Sequence, residues 1–154
     1  MSNSSDNIKY VVFTMDNEHY GIDITSVKSI ERIQYFTRVP NSPKYIKGVI
    51  NLRGEVVPIV DLRLRFDLAP REVDASSRII IVFVNDIEIG LLVDSSSEVI
   101  EISSEDIDSP PVIKDSVTED FIKGIGKKEG NLIILIDIEK VIWIKDIEQV
   151  TRSE

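Results

Sequence analysis

Two stretches of this chain repeat one another without a gap, and no other feature restricts its fold as strongly. Tyr45 to Leu62 reads YIKGVINLRGEVVPIVDL and Phe121 to Ile138 reads FIKGIGKKEGNLIILIDI, at an offset of 76 residues. Ile46, Lys47, Gly48, Gly54 and Asp61 recur as Ile122, Lys123, Gly124, Gly130 and Asp137. Most other positions exchange one β-branched or large apolar residue for another. Each stretch has two apolar runs around a glycine-bearing turn, the pattern of a β-hairpin. A hairpin tightening at Asn51-Leu52-Arg53-Gly54 is expected to expose Leu52 and Arg53. The tips are where the copies differ, with Asn51-Leu52-Arg53 in one and Lys127-Lys128-Glu129 in the other.

A second hairpin recurs as well. Tyr10 to Met15, the turn Asp16-Asn17 and Glu18 to Ile24 match Ile79 to Val84, Asn85-Asp86 and Ile87 to Val93 at an offset of 69. Asn and Asp tolerate the positive φ that a two-residue hairpin turn requires. Gly21 falls on Gly90, and of seven glycines only Gly126 has no counterpart. A glycine within a strand marks a turn, a bulge or a tight corner, so paired glycines imply paired backbone shapes. The chain reads as one β unit of about 70 residues, duplicated.

The remaining segments complete each unit. Residues 1–8 are polar and are expected to be disordered. Val27 to Arg32 reads as a third strand, with Glu98 to Ile102 as its counterpart. Ser42 is placed to cap a short turn over Lys44 to Lys47, and Asp61 to cap one helical turn ending near Phe66. Asp137 is expected to cap a final helix from about 138 to 150, with Trp143 on its packing face. Pro58 lies mid-strand and cannot donate to a ladder, which predicts an edge or a bulge there. Short strands between turn signals, with little helix, define an all-β protein. About five strands per copy would close into two small tandem barrels, at about residues 9–73 and 74–138, removing exposed edges.

Charge and composition exclude several functions. The net charge of −9 argues against nucleic acid as a partner. No apolar run approaches the roughly 20 residues that span a bilayer, and MSNSSDNIKY lacks the apolar centre of a signal peptide, so a cytoplasmic protein without membrane insertion is expected. There is no Cys, and the one histidine, His19, reads as a half-exposed strand residue. No nucleophile stands beside a base, and no residues assemble a metal or cofactor site. The glycine-rich Gly124 to Gly130 run is a hairpin tip in its first copy, so it is not read as a phosphate loop. Glu105, Asp106 and Asp108 lack the spacing of a calcium loop. Basic residues concentrate between Lys28 and Arg71, acidic ones between Asp94 and Phe121, which suits a protein that docks partners through distinct faces. A non-catalytic adaptor is the leading reading. The alternative is a small β-barrel that binds a ligand or an oligonucleotide.

The run YIKGVINLRGEVVPIVDLRLRF, at residues 45–66, resembles the signature of the CheW family, the coupling proteins of bacterial chemotaxis. YGIDI at 20–24, IGLLVDSSSEVI at 89–100 and GIGKKEGNLIILIDIEKVI at 124–142 resemble it too, so the likeness covers about residues 8–143. The resemblance implies one CheW-like domain, here over about residues 9–150, built of two five-stranded Src-homology-3-like barrels around a hydrophobic groove. It implies no enzymatic activity and no cofactor. It implies two partners, the regulatory domain of the histidine kinase CheA and the cytoplasmic tips of methyl-accepting chemoreceptors, in membrane-associated receptor arrays. The contact residues it implies are Val27, Gly48, Asn51, Leu52, Arg53, Gly54 and Val99. The diverged second tip agrees with a role for Arg53, since a tip that merely closed a hairpin would not need different residues in its two copies.

Overall fold

The computed structural model describes residues 6–109, 121–142 and 147. Its strands are β1 (Asn7–Met15), β2 (Glu18–Asp23), β3 (Val27–Arg32), β4 (Ile46–Leu52), β5 (Glu55–Asp61), β6 (Arg78–Val84), β7 (Ile87–Val93), β8 (Ser95–Ser103), β9 (Ile107–Asp108), β10 (Ile122–Lys128) and β11 (Asn131–Ile136). Two helical turns, α1 (Leu62–Arg65) and α2 (Ile138–Val141), follow β5 and β11. Asp61 and Asp137 cap them, accepting from the backbone N–H of Arg63 and Glu139. The fold is all-β, as the turn and strand signals predict.

Both repeats appear in the backbone. The turns at Asp16-Asn17 and Asn85-Asp86 have φ of 54° and 68° against 51° and 65°, the paired positive values that match strand twist. The β4–β5 ladder shifts register between Ile46 and Gly48, and β10–β11 shifts between Ile122 and Gly124. The paired glycines therefore sit on paired bulges.

The strands form two sheets, β8-β1-β2-β11-β10-β9 and β3-β6-β7-β5-β4. Each rolls up. Strands β8 and β9 are opposite edges of one sheet yet are joined by a single turn, Ser104–Asp106. In the other, Thr37 follows edge strand β3 and pairs with Val49 on the opposite edge strand, β4.

The sheets do not follow the expected division near residue 73. The β1–β2 hairpin lies in the sheet of β8 to β11, while β6–β7 lies with β3 to β5. Two parallel contacts seal the exchange, with Ile59 beside Gly90 and Leu135 beside Gly21. A Cβ on Gly90 would come within 2.5 Å of Ile59 Cδ1, and one on Gly21 within 3.0 Å of Leu135 Cδ2. Local patterning decides which residues form a hairpin. It does not decide which of two near-equivalent sheets receives it.

Three apolar clusters follow from the exchange. Ile50, Leu52, Val57, Ile59, Ile79, Ile81 and Leu92 fill one barrel, and Tyr10, Ile102, Ile133 and Leu135 fill the other. The largest cluster joins the sheets and takes Val11, Phe13 and Met15 from β1 and Ile80, Val82 and Val84 from β6. Residues Ile79 to Val82 of β6 are thus buried on both faces, which explains the unbroken IIIV run. A ladder of rings crosses this shared core. Phe13 lies 5.5 Å from Tyr20, Tyr20 5.3 Å from Phe66, and Phe66 4.7 Å from Phe121. These four aromatic residues are spent on packing and are not displayed as a stacking platform for bases.

Other expectations need correction. Asn7 and Ile8 are not disordered, because they pair with Ser103 and Ile102. The final helix does not run unbroken from 138 to 150. Ile142 is extended at φ −100° and ψ 129°, and Ile147 is buried in the shared core. Trp143 lies outside the described residues. Pro58 is not on an edge strand, since β5 lies between β7 and β4. Val49 spends its N–H and C=O on Thr37, so the Val49–Pro58 pair needs no bond from proline, and pairing to β7 begins only at Ile59. The Ser42 hydroxyl donates back to the Val39 carbonyl instead of capping forward.

Candidate partner-binding site

The sequence-derived contact residues fall into one connected group and one outlier. The group begins at Gly48. Its φ is 152°, and a Cβ there would lie 2.4 Å from the Thr37 carbonyl oxygen. Thr37 and Val49 exchange backbone hydrogen bonds of 2.8 Å each, so the approach is fixed, and glycine is the residue it admits. From this bulge β4 runs straight to the tip.

At the tip, Arg53 and Gly54 have φ of 53° and 88°. The Asn51 carboxamide oxygen accepts from the Gly54 N–H at 2.9 Å and braces the turn. Arg53 is exposed, with its guanidinium 3.6 Å from Glu31 Oε2. Glu31 is held by the Ser29 hydroxyl at 2.8 Å. This chain of contacts ties the tip to β3, the strand that carries Val27. An ion pair so exposed on the arginine side adds little stability and leaves most of the guanidinium free.

Leu52 corrects the expectation. It is 7% exposed and belongs to the barrel interior, so the tip presents Arg53 without an apolar neighbour from position 52. The apolar residue exposed nearby is Val56, paired with Asn51.

Val27 and Val99 occupy edge strands of different sheets. Val27 faces Val82 and packs partly against the shared core. Val99 faces Val11, a shared-core residue, and is 48% exposed. Neither fills a barrel interior. Sequence reasoning missed Ile30, which faces Ile80 in the same way and is 41% exposed. The 69-residue offset that matches the hairpins carries Ile30 onto Val99 and could have found it. Each edge strand thus offers one half-exposed aliphatic side chain beside the shared core. Val99 and the tip lie on different sheets.

An ionic knot lies past the other end of β5 from this tip, and sequence reasoning missed this too. Arg63 donates to Asp94 at 2.6 Å, to Asp16 at 3.1 Å and to the Ala69 carbonyl at 2.7 Å. Asp94 also accepts from the Asp16 N–H at 2.8 Å. One guanidinium therefore gathers α1, the β1–β2 turn and the β7–β8 junction. Such pairing is what lets the Arg63 and Asp94 charges stay largely out of solvent, while Asp16 is exposed. Beside it, burial pushes the Asp61 carboxyl above its usual range, while the Lys47 charge and the N–H groups of Arg63 and Leu64 pull it back. Among the described residues, no three His, Cys, Asp or Glu side chains could hold a metal. His19 is exposed, and no described helix is long and apolar enough to cross a membrane.

The arrangement is a braced, charged tip tied to one apolar strand edge, β3, with a second such edge, β8, on the other sheet. A family model described as the CheW-like domain matches residues 9–144. The chain belongs to the CheW family. It is 42% identical over 134 residues to the chemotaxis protein CheW of Bacillus subtilis, covering 87% of this chain and 86% of that one. It is 36% identical to the chemotaxis protein CheW of Klebsiella aerogenes, covering 94% and 89%. The crystal structure of the scaffolding protein TtCheW from Thermoanaerobacter tengcongensis superposes with a TM-score of 0.82 at 38% identity, covering 88% of this chain and 92% of that one. CheW-family proteins are non-catalytic scaffolds of chemotaxis signalling.

Proposed function

We propose that this CheW-family chain couples the histidine kinase CheA to the cytoplasmic tips of chemoreceptors, passing receptor state to kinase activity within membrane-associated arrays. The observation that carries the reading is the first hairpin tip. Its turn is braced by Asn51, and its guanidinium projects from the barrel with one partial ion pair. A planar donor fork held on a stiff turn suits a carboxylate on a partner, at low ordering cost. Val27, with Ile30 beside it on β3, and Val99 on β8 offer apolar edges to the same or a second partner. Gly48, Gly54 and Leu52 act by shape, holding the strand and turn that present Asn51 and Arg53.

Titration calorimetry with a receptor-tip fragment and, separately, with the kinase regulatory domain tests this. Binding to each, and a ternary complex when all three are mixed, is the expected result. Failure to bind either fragment would overturn the coupling role.

A further inference from the structure

From Arg32 to Gly54 there is no Asp or Glu, in a chain that carries 27 acidic residues. Folding turns part of this run into a cleft of about 280 Å³. Arg38, Lys44 and Lys47 supply its cations, and Val39, Ile46 and Leu64 its apolar lining. None of these cations has an ion-pair partner within 4.0 Å among the described residues, whereas Lys28, Arg53, Arg63, Arg71 and Lys127 all do. Asp61, on which the Lys47 charge acts, is buried and bonded to the Arg63 N–H. Three cations without a direct ion-pair partner, in one concave site of an acidic protein, focus a local positive field.

The cleft is also built in advance. Thr37 and Val49 lock the loop to β4, the Ser42 hydroxyl bonds the Val39 carbonyl at 2.8 Å, and the Ile46 N–H bonds the Pro43 carbonyl at 3.0 Å. A ligand would therefore meet a formed surface. The volume falls below the roughly 300–1,000 Å³ of small-molecule sites and has room for a few side chains. A free inorganic anion would leave Val39, Ile46 and Leu64 without a partner.

We propose that this cleft is a second docking site and takes a carboxylate-rich peptide segment of a partner protein, with an aliphatic side chain set against Val39, Ile46 and Leu64. Arg38 offers a planar fork to one carboxylate, and the two lysines act as point charges for others. None of the contact residues assigned to the tip or the strand edges lines this cleft, so it extends the docking surface beyond them.

The test uses the full chain and a short fluorescein-labelled peptide of alternating Glu and Leu, read by fluorescence anisotropy at low and moderate salt. Binding is expected to weaken as salt rises. Reversing Arg38→Glu together with Lys44→Glu is expected to weaken it by about tenfold or more. Lys123→Glu is the control. It reverses the repeat counterpart of Lys47, whose ammonium lies over the Tyr10 ring at 5.9 Å, and should change binding by less than about twofold. Circular dichroism checks that each variant is folded, and should the double reversal fail that check, Lys44→Gln alone takes its place. Equal losses from the cleft and control reversals would overturn the proposal by showing diffuse charge attraction. Equal binding of a Gln-for-Glu peptide, or full competition by inorganic phosphate, would overturn it in favour of an apolar groove or a small-anion site. The readout uses no receptor or kinase fragment, so its failure leaves the coupling proposal standing, and the reverse also holds.

Discussion

At the first hairpin tip, Arg53 and Gly54 take φ of 53° and 88°; at the second, Glu129 and Gly130 take 51° and 82°. The backbones are the same turn. The surroundings are not. Asn51 braces the first turn, while its counterpart Lys127 reaches away to Asp108 at 3.2 Å. Arg53 leans on Glu31, whereas Lys128 donates to the Glu101 carbonyl at 2.8 Å. Leu52 is buried where the second copy places Lys128. Duplication copied a shape that the ladder and the bulge enforce. Side chains beyond the ladder were free to diverge, so chemistry found at one tip alone is a better guide to function than chemistry found at both.

The largest effect should come from the bulge glycines. Gly48→Ala would drive a Cβ into the Thr37 carbonyl at positive φ, and a loss of about 3 kcal/mol in urea unfolding is expected. Gly124→Ala meets Ile107 Cγ2 at 2.8 Å and the Asp108 carbonyl oxygen at 3.1 Å, a looser approach than at Gly48, and should cost about half as much. Equal losses would break the claim that the first bulge is the more tightly held.

Next come the tips. Arg53→Glu should weaken binding to the receptor or kinase fragment by about 2 kcal/mol or more, and Glu129→Arg by under about 0.5. The fold should survive both, as circular dichroism would show, because neither side chain fills the core. If the second-barrel reversal does the greater damage, the functional tip has been assigned to the wrong barrel.

The turn glycines test the shared shape instead of the divergent chemistry. A Cβ at Gly54 or Gly130 meets nothing within 4 Å, so Ala there is opposed only by the backbone conformation. Both substitutions should cost about 1 kcal/mol, and thermal melts that separate them clearly would contradict the common turn. The smallest effects belong to the tip ion pairs. Glu31→Gln and Asp108→Asn should each change stability by under about 0.5 kcal/mol, since one partner in each pair is largely solvated. A larger loss from Glu31→Gln would show the Arg53 contact to be structural.

Much of this was legible in the residues, and the exceptions have physical causes. The Asp-Asn and Asn-Asp turns, the Asp61 and Asp137 caps and the paired glycines are local features, and local chemistry fixed them. Leu52 was misjudged from its place near the tip. The alternation Ile46, Gly48, Ile50, Leu52 carries it to the barrel interior, and that period was the stronger signal. The exchange of hairpins between sheets left no local trace, because Gly21 and Gly90 fit either parallel contact by the same small size. Nor did the Arg63 knot, whose partners Asp16 and Asp94 are distant in sequence. Contact roles for Val27 and Val99 cannot be read from their apolarity, since core and partner-facing valines look alike until exposure is known.

The exchanged hairpin also sets an order of events during synthesis. The sheet of β3 to β7 is one continuous stretch, Val27 to Val93, and all its strands exist once that stretch has been made. The other sheet is different. Its β1–β2 hairpin is made before its other strands, yet Gly21 meets its neighbour only when Leu135 arrives. Until then a strand edge bearing backbone donors and acceptors stands open, and such edges invite pairing with other chains. The earliest hairpin of this fold is therefore the last to find its permanent place, and its slowest and most vulnerable interval should lie between the completion of the sheet of β3 to β7 and the delivery of β11.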